Sequence, residues 1–381
     1  MSKLALSLLN GFKVVMRPLN DELCNLEPRH GRRCATVPHR FSPPHSISEL
    51  GFMLVFWFAA LTLVLLPAAF ARAAEREPAF DENFYGVTII DDDAWIVGYY
   101  GTILHSRDRG LTWKVQNAPS RNALYSVRFV TPEDGWVSGS YGALLRTRDG
   151  GRTWSLVSSG TEEHLFSMSR LGQHGWAAGS RGTLLRTEDG GASWVSASLK
   201  EDLTLSSIFF VTRLRGWVAG EFGVILHTQD GGKTWLKQSS PIEVTFASGE
   251  SRMLFALLFR DHTAGFAFGI DGLVLSGRDG THWQITRSKP ANGANHLFAA
   301  AMFREQLWAV GERGTLLQGD LNGGNWHAHA ASIPPVSLNG IAFGKNGFGL
   351  IVGNRGLVLR TDDGGETWRT FPNQRLIMAR D

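Results

Sequence analysis

The 381-residue chain has only two cysteines, Cys24 and Cys34, both near its start. Everything beyond Cys34 is therefore without disulfides or Cys-ligated metal, and no lipid-bearing Cys follows the one long apolar run. Charge is equally sparse. The net value is +3, but residues 1–73 hold eight Lys and Arg against four Asp and Glu, leaving about −1 for the rest. A near-neutral body excludes the electrostatic footprint of a nucleic-acid binder. Helical periodicity is missing, and with it any Gly-rich phosphate loop between a strand and a helix. His327 and His329 alternate onto one face, yet no third ligand of the right type lies nearby, so they read as exposed strand residues. Neither a metal nor a cofactor is expected.

The apolar run, residues 52–70 (FMLVFWFAALTLVLLPAAF), is long enough to enter a membrane. Arg29, Arg32, Arg33 and Arg40 precede it, which assigns that end to the cytoplasm. Ala71-Arg72-Ala73 after it has the form of a signal-peptidase site. Residues 1–50, rich in Pro, Arg and His, read as an unstructured leader, and 51–73 as a signal peptide or a retained anchor. Both readings export the remainder to a periplasmic or lumenal space.

Residues 84–371 repeat one unit seven times, each ending at a Trp: 113, 154, 194, 235, 283, 326 and 368. Their spacing of 40–48 residues is that of a four-stranded propeller blade. The expected fold is all-β, a seven-bladed β-propeller of antiparallel blades at about 84–118, 124–159, 165–199, 205–240, 254–288, 297–331 and 338–371. In the second unit, Leu124–Val130 alternates with period two as strand a, and Gly135-Trp136-Val137 is strand b. Gly139-Ser140-Tyr141-Gly142 makes a hairpin turn that needs positive φ, and strand c is Ala143–Thr147. Strand d begins at Thr153-Trp154. Trp95, Trp136, Trp176, Trp217 and Trp308, with Phe266 and Phe348, form a second aromatic ladder in strand b. Each repeat is complete from a to d, so simple end-to-end closure is expected.

The c–d turn recurs as TRDGGRTW, TEDGGASW, TQDGGKTW and TDDGGETW, with SRDRGLTW in the first copy. This is the Asp-box, whose Asp accepts hydrogen bonds from its own turn. The acids are Asp108, Asp149, Asp189, Asp230, Asp279 and Asp363; blade five is one residue short, and blade six displaces its acid to Asp320. Together with the G-W and G-x-x-G stretches, these turns resemble the photosystem II stability/assembly factor family, as an exported bacterial member. The resemblance implies a non-catalytic propeller that binds a membrane-protein or extracytoplasmic client. This chain departs from the photosynthetic members in its Arg-rich leader and its irregular fifth and sixth blades.

In a propeller the b–c and d–a loops share one face. Around that face stand Tyr99-Tyr100, Ser140-Tyr141, Ser180-Arg181, Glu221-Phe222, Ile270-Asp271, Glu312-Arg313 and Asn354-Arg355. Tyr99, Tyr100, Tyr141, Arg181, Phe222, Arg313 and Arg355 are the expected partner-binding residues, since Tyr and Arg are enriched at binding hot spots. The long connection at 239–253 would add a peptide-contacting lid. The alternative is a sialidase-like or other glycan-binding Asp-box propeller, with the tyrosines as stacking platforms. Catalysis has little to rest on. All five tyrosines fall between Tyr85 and Tyr141, which leaves no late Tyr nucleophile, and a two-carboxylate hydrolase would draw on Asp271 or Glu312 facing the channel.

Overall fold

A computed structural model describes residues 82–242, 252–287 and 295–370. The leader, both cysteines, the apolar run and most of the 239–253 connection lie outside the described residues. Among those described, no helix is long and apolar enough to cross a membrane.

Seven four-stranded antiparallel sheets follow one another, each built from four consecutive strands. Among the described residues, no strand is exchanged between the first and last blade. In blade two the strands are a (Leu124–Phe129), b (Gly135–Gly139), c (Leu144–Thr147) and d (Ser155–Leu156). Strand d is short and exposed, and Trp154 precedes it as the last residue of the turn. Strand a of every blade packs beside strand a of both neighbours, which makes these strands the wall of the central channel.

The hydrophobic core lies between blades rather than within them. Seven buried clusters each join two adjacent blades. At the closure, Phe84, Ile96 and Trp113 of blade one pack against Phe348, Leu350 and Val358 of blade seven. Asn339 Nδ2 also donates to the Phe84 carbonyl at 2.7 Å, and Arg360 Nε to that of Arg109 at 2.7 Å.

The repeated motif explains these interfaces. Trp95, Trp176 and Trp217 of strand b stack on Phe129, Phe210 and Phe259 of the next blade at 3.7, 3.6 and 4.2 Å between centroids. Trp154, Trp235 and Trp283 meet those phenylalanines edge-on. Each buried aromatic contributes on the order of 2–3 kcal/mol. The Gly of G-W is required by the same Phe: a Cβ on Gly135 would lie 2.3 Å from the Phe129 ring. Blades one and six carry Ile89 and Met302 in place of that Phe, and Ala94 and Leu307 in place of the Gly. In blade three, Arg170 takes the Phe's place, its guanidinium 4.0 Å over Trp136 and paired with Asp134.

Registry corrects one expectation. Opposite Ala342 the strand-b position of the tryptophans is filled by Leu350, not Phe348. Phe348 sits two residues earlier, where Arg109 and Arg360 cover its ring. The tandem glycines on either side of Phe348 made the two alignments equivalent in sequence. His327 and His329 also part company. His327 is exposed in strand d, whereas His329 is half-buried with its ring 5.6 Å from that of Trp308.

The Asp-box is a closed hydrogen-bond unit. Asp149 Oδ1 accepts from Thr153 N at 2.9 Å and Oδ2 from the Thr153 hydroxyl at 2.7 Å, while Gly151 N donates to Thr147 Oγ1 at 2.8 Å. The same set recurs around Asp108, Asp189, Asp230 and Asp363. Shortened by one residue, the blade-five turn holds Asp279 at positive φ and leads into a six-residue strand d, His282–Arg287. In blade six the displaced Asp320 still organises its turn, accepting from Asn322 N and Gly324 N.

These boxes also lock the ring. The indole N–H of Trp95, Trp176 and Trp217 donates to the Asp-box carbonyl of the next blade: Gly150 at 3.3 Å, Gly231 at 2.7 Å and Gly280 at 2.8 Å. The buried Trp308 Nε1 has no such acceptor. Urea unfolding of Trp176→Phe should therefore show a loss of about 1 kcal/mol beyond that of Trp308→Phe. Equal losses would show that the bond contributes nothing.

Hydrogen bonds from Ser193 and Thr187 hold the Asp189 carboxyl below the usual carboxylate range. At Asp230 slight desolvation pushes upward, but bonds from Thr234 and Thr228 outweigh it and hold the group at about 2. A depressed folded-state pKa contributes stability above the unfolded value of about 3.9 and loses it as pH falls. The urea midpoint should thus decline between about pH 4 and pH 2. Asp189→Ala, which already lacks one such box, should cost about 1 kcal/mol at neutral pH and soften that decline.

Candidate functional site

The b–c turns share one constrained backbone conformation. Their second residues are Tyr100, Tyr141, Arg181, Phe222, Asp271, Arg313 and Arg355, all at φ between 51° and 58°. The sequence reading assigned the left-handed conformation to the flanking glycines. The structure places it on the side-chain-bearing residue as well. Bulky L-residues are uncommon there, at a cost of about 1–2 kcal/mol each.

Two sets of contacts hold these turns. The first turn residue of every blade donates its N–H to the carbonyl of the residue preceding strand a, as Tyr99 does to Asn83 at 2.8 Å and Asn354 to Ser337 at 2.9 Å. The second residue is capped from the following blade. Tyr141 N donates to His164 Nδ1 at 3.2 Å, Asp271 N to His296 Nδ1 at 3.0 Å, and Arg355 N to Asn83 Oδ1 at 3.1 Å. Burial lowers the His164 pKa, which keeps its ring neutral and able to accept.

The predicted residues are disposed unequally. Tyr99, Tyr100 and Tyr141 are 40%, 53% and 68% exposed, with the first two rings 6.2 Å apart and Tyr141 set against His164. Arg121, from the d–a connection of blade one, stacks on Tyr100 with its guanidinium 5.5 Å from the ring and a bond to the phenol at 3.1 Å. Arg181 is exposed and touches Glu163 at 3.4 Å. Arg313 and Arg355 are exposed, and neither guanidinium is ion-paired with another described residue. Phe222 is half-buried. Asp271 and Glu312 stand on separate turns of blades five and six. Among the described residues there is no cluster suited to a metal.

Sequence reasoning missed a second layer. In every blade the register shifts at the second residue of strand a, so each inner strand begins with a β-bulge. Bulges re-aim side chains. Here they set two aromatic arcs at the channel mouth: Tyr85, Tyr125 and Phe166 at 5.6 and 5.4 Å between successive rings, and Phe255 with Phe298 at 5.2 Å. Ser206 and Asn339 fill the gaps and donate to the carbonyls of Leu254 and Phe84 in the next blade. Burial pushes the Tyr85 hydroxyl pKa up and that of Tyr125 up to about 12, so both phenols stay neutral. The aromatic second positions were visible in sequence; the bulge that turns them was not.

Residues 111–204 and 154–245, from the end of blade one through blade four, match the family model of the photosynthesis system II assembly factor YCF48. This stretch carries the repeat of the photosystem II assembly factor family. No curated protein matches it at the level of sequence. Among solved structures, YCF48 bound to a D1 peptide is similar with a TM-score of 0.53 at 22% identity, over 66% of this chain and 81% of that one. YCF48 from Cyanidioschyzon merolae gives 0.59 at 19%, over 74% and 95%. A GH74 xyloglucanase from Xanthomonas campestris gives 0.63 at 13%, over 78% of this chain but 55% of its own. At these identities the structural likeness is one of fold. Assembly-factor propeller and GH74 enzyme both match in fold, and the family model matches in repeat sequence.

If the left-handed turns are strained, Arg313→Gly should raise stability by about 0.5–1 kcal/mol in chemical denaturation, because Gly adopts positive φ without the Cβ clash. Thr315→Gly, on the same hairpin at ordinary φ, should lower it. A destabilised Arg313→Gly variant would show that the turn carries no such strain.

Proposed function

We propose that the protein is an exported, non-catalytic scaffold whose b–c face docks the extracytoplasmic part of a membrane-protein client during assembly. The observation that carries this reading is the set of seven side chains held at positive φ on one face. Tyr and Arg predominate where Gly or Asn would be easier to accommodate. Strain retained at one face of a stable ring argues for display of those side chains.

The mechanism is rigid presentation. Each turn is bonded to its own d–a connection, and three are capped from the next blade as well, so binding orders little. Tyr99, Tyr100 and Tyr141 would cover an apolar part of the client. Arg313 and Arg355, with Arg181 beside Glu163, would pair with its acidic groups. Blades six, seven, one, two and three are consecutive round the closed ring, so basic and aromatic residues form one arc. The family resemblance supports a protein client, and the YCF48 structure with a D1 peptide shows that a related propeller can hold a peptide. The apolar run at 52–70 would export the propeller and, if retained, tether it to the membrane.

The test is affinity purification of the tagged protein from gently solubilised native membranes, beside a triple variant with Arg181, Arg313 and Arg355 changed to Glu. A defined integral-membrane partner, reduced at least about tenfold in the triple variant, is expected. Retention of that partner by the variant would remove the b–c face from the interaction. Saccharide binding lost on mutating the three tyrosines, with the arginines irrelevant, would favour the glycan-binding alternative.

A further inference from the structure

Below the aromatic arcs, the fifth residue of each inner strand forms another ring round the axis. These residues lie opposite one position of strand b in every blade, as Thr88 does to Trp95, Arg128 to Trp136 and Ser169 to Trp176. The ring is two-sided. Thr88, Arg128 and Ser169 of blades one to three are polar, whereas Phe209, Leu258 and Ala301 of blades four to six are apolar.

Arg128 is unusual in this setting. It is enclosed by protein, and the desolvation lowers its pKa, yet its side chain is exposed to solvent. Set on an inner strand and exposed among surrounding protein, it lies on the channel side of the blade. Its Nε donates to the Met168 carbonyl at 3.1 Å and its Nη1 to the Val127 carbonyl at 3.0 Å. Both acceptors are neutral, and no carboxylate among the described residues offsets the charge. Enclosed charges are ordinarily paired. The neighbouring hydroxyl of Ser169 accepts from Phe210 N at 3.0 Å and so keeps its own proton free to donate.

We propose that the central channel is a binding site for a small organic monocarboxylate, with its carboxylate on Arg128 and its apolar body against the wall of Phe209, Leu258 and Ala301. A guanidinium offers a planar fork for a carboxylate, and Nη2 is not engaged in any bond to a described residue. The apolar wall opposite selects an organic acid over chloride or phosphate, which would leave that wall wet. The aromatic arcs of Tyr85, Tyr125, Phe166, Phe255 and Phe298 at the mouth would admit the same amphiphilic shape. This site is separate from the exposed arginines of the b–c face.

Isothermal titration calorimetry of the full-length protein with sodium benzoate tests the assignment, with sodium chloride and benzyl alcohol as probes lacking one feature each. One benzoate per chain is expected, with neither control binding comparably. Arg128→Gln should weaken benzoate at least about tenfold and Arg128→Lys less, since Lys keeps the charge and loses the fork. The Glu triple variant of the b–c face should bind benzoate as the wild type does, so failure of the client reading and failure of this one are distinguishable. Where Arg128→Gln does not fold, Ala301→Phe keeps the cation and narrows the channel from the opposite wall, and benzoate affinity should fall. Absence of benzoate binding, equal binding of chloride, or unchanged affinity in both Arg128→Gln and Ala301→Phe would overturn the proposal.

Discussion

Packing between adjacent blades is the constraint on which the rest of the molecule depends. A single four-stranded sheet has two faces to cover and too little chain to cover either. Each blade therefore shares both of its hydrophobic faces, and a core exists only when the ring is closed. The strand-b aromatic is central to this because it serves two blades at once. Its ring stacks on the next blade's Phe, and in three places its N–H reaches the next blade's Asp-box carbonyl. The Asp-box is thus more than a tight turn. It presents a carbonyl at a fixed height, and its Asp hydrogen bonds keep that carbonyl in place.

The inner edge of the ring raises a different difficulty. Strand a has a free edge facing the channel, and unpaired backbone groups there are costly. Neighbouring blades supply the missing partners through side chains: Ser167, Ser169 and Ser207 accept from Ile208, Phe210 and Leu257 N–H groups, while Arg128 and Asn339 donate to carbonyls. The residues that satisfy the channel wall also decide its chemistry. Blades one to three contribute polar groups and blades four to six apolar ones, so the channel is amphiphilic without interrupting the packing behind it.

Much of the fold was legible in the chain because the motif repeats. Trp spacing sets blade count, and period-two alternation in segments such as 124–130 marks the inner strands. The degenerate fifth and sixth blades were also readable, since their altered boxes still carry Asp279 and Asp320. What failed was local alignment. Phe348 and Leu350 stand two residues apart beside three glycines, and only hydrogen-bond register tells which faces Ala342. The exposed candidates of the b–c face followed from position in the repeat. Arg121 did not, because a d–a connection varies between blades and its stacking on Tyr100 is a tertiary fact.

By itself, then, the sequence determined the blade, its number and the location of its turns, because these follow from periodicity and from residues with strong backbone preferences. It also determined which side chains each turn would carry. Tertiary structure decided their meaning. Positive φ at Tyr100, Arg181 and Arg313 arises from bonds made to the d–a connection on closing the hairpin. The bulge at Tyr85, Tyr125 and Phe166 is a property of strand pairing, and the surroundings of Arg128 include a carbonyl of the next blade. Local propensity is written along the chain, but the environment of a side chain is the sum of its neighbours, and in a closed ring most of those come from another repeat.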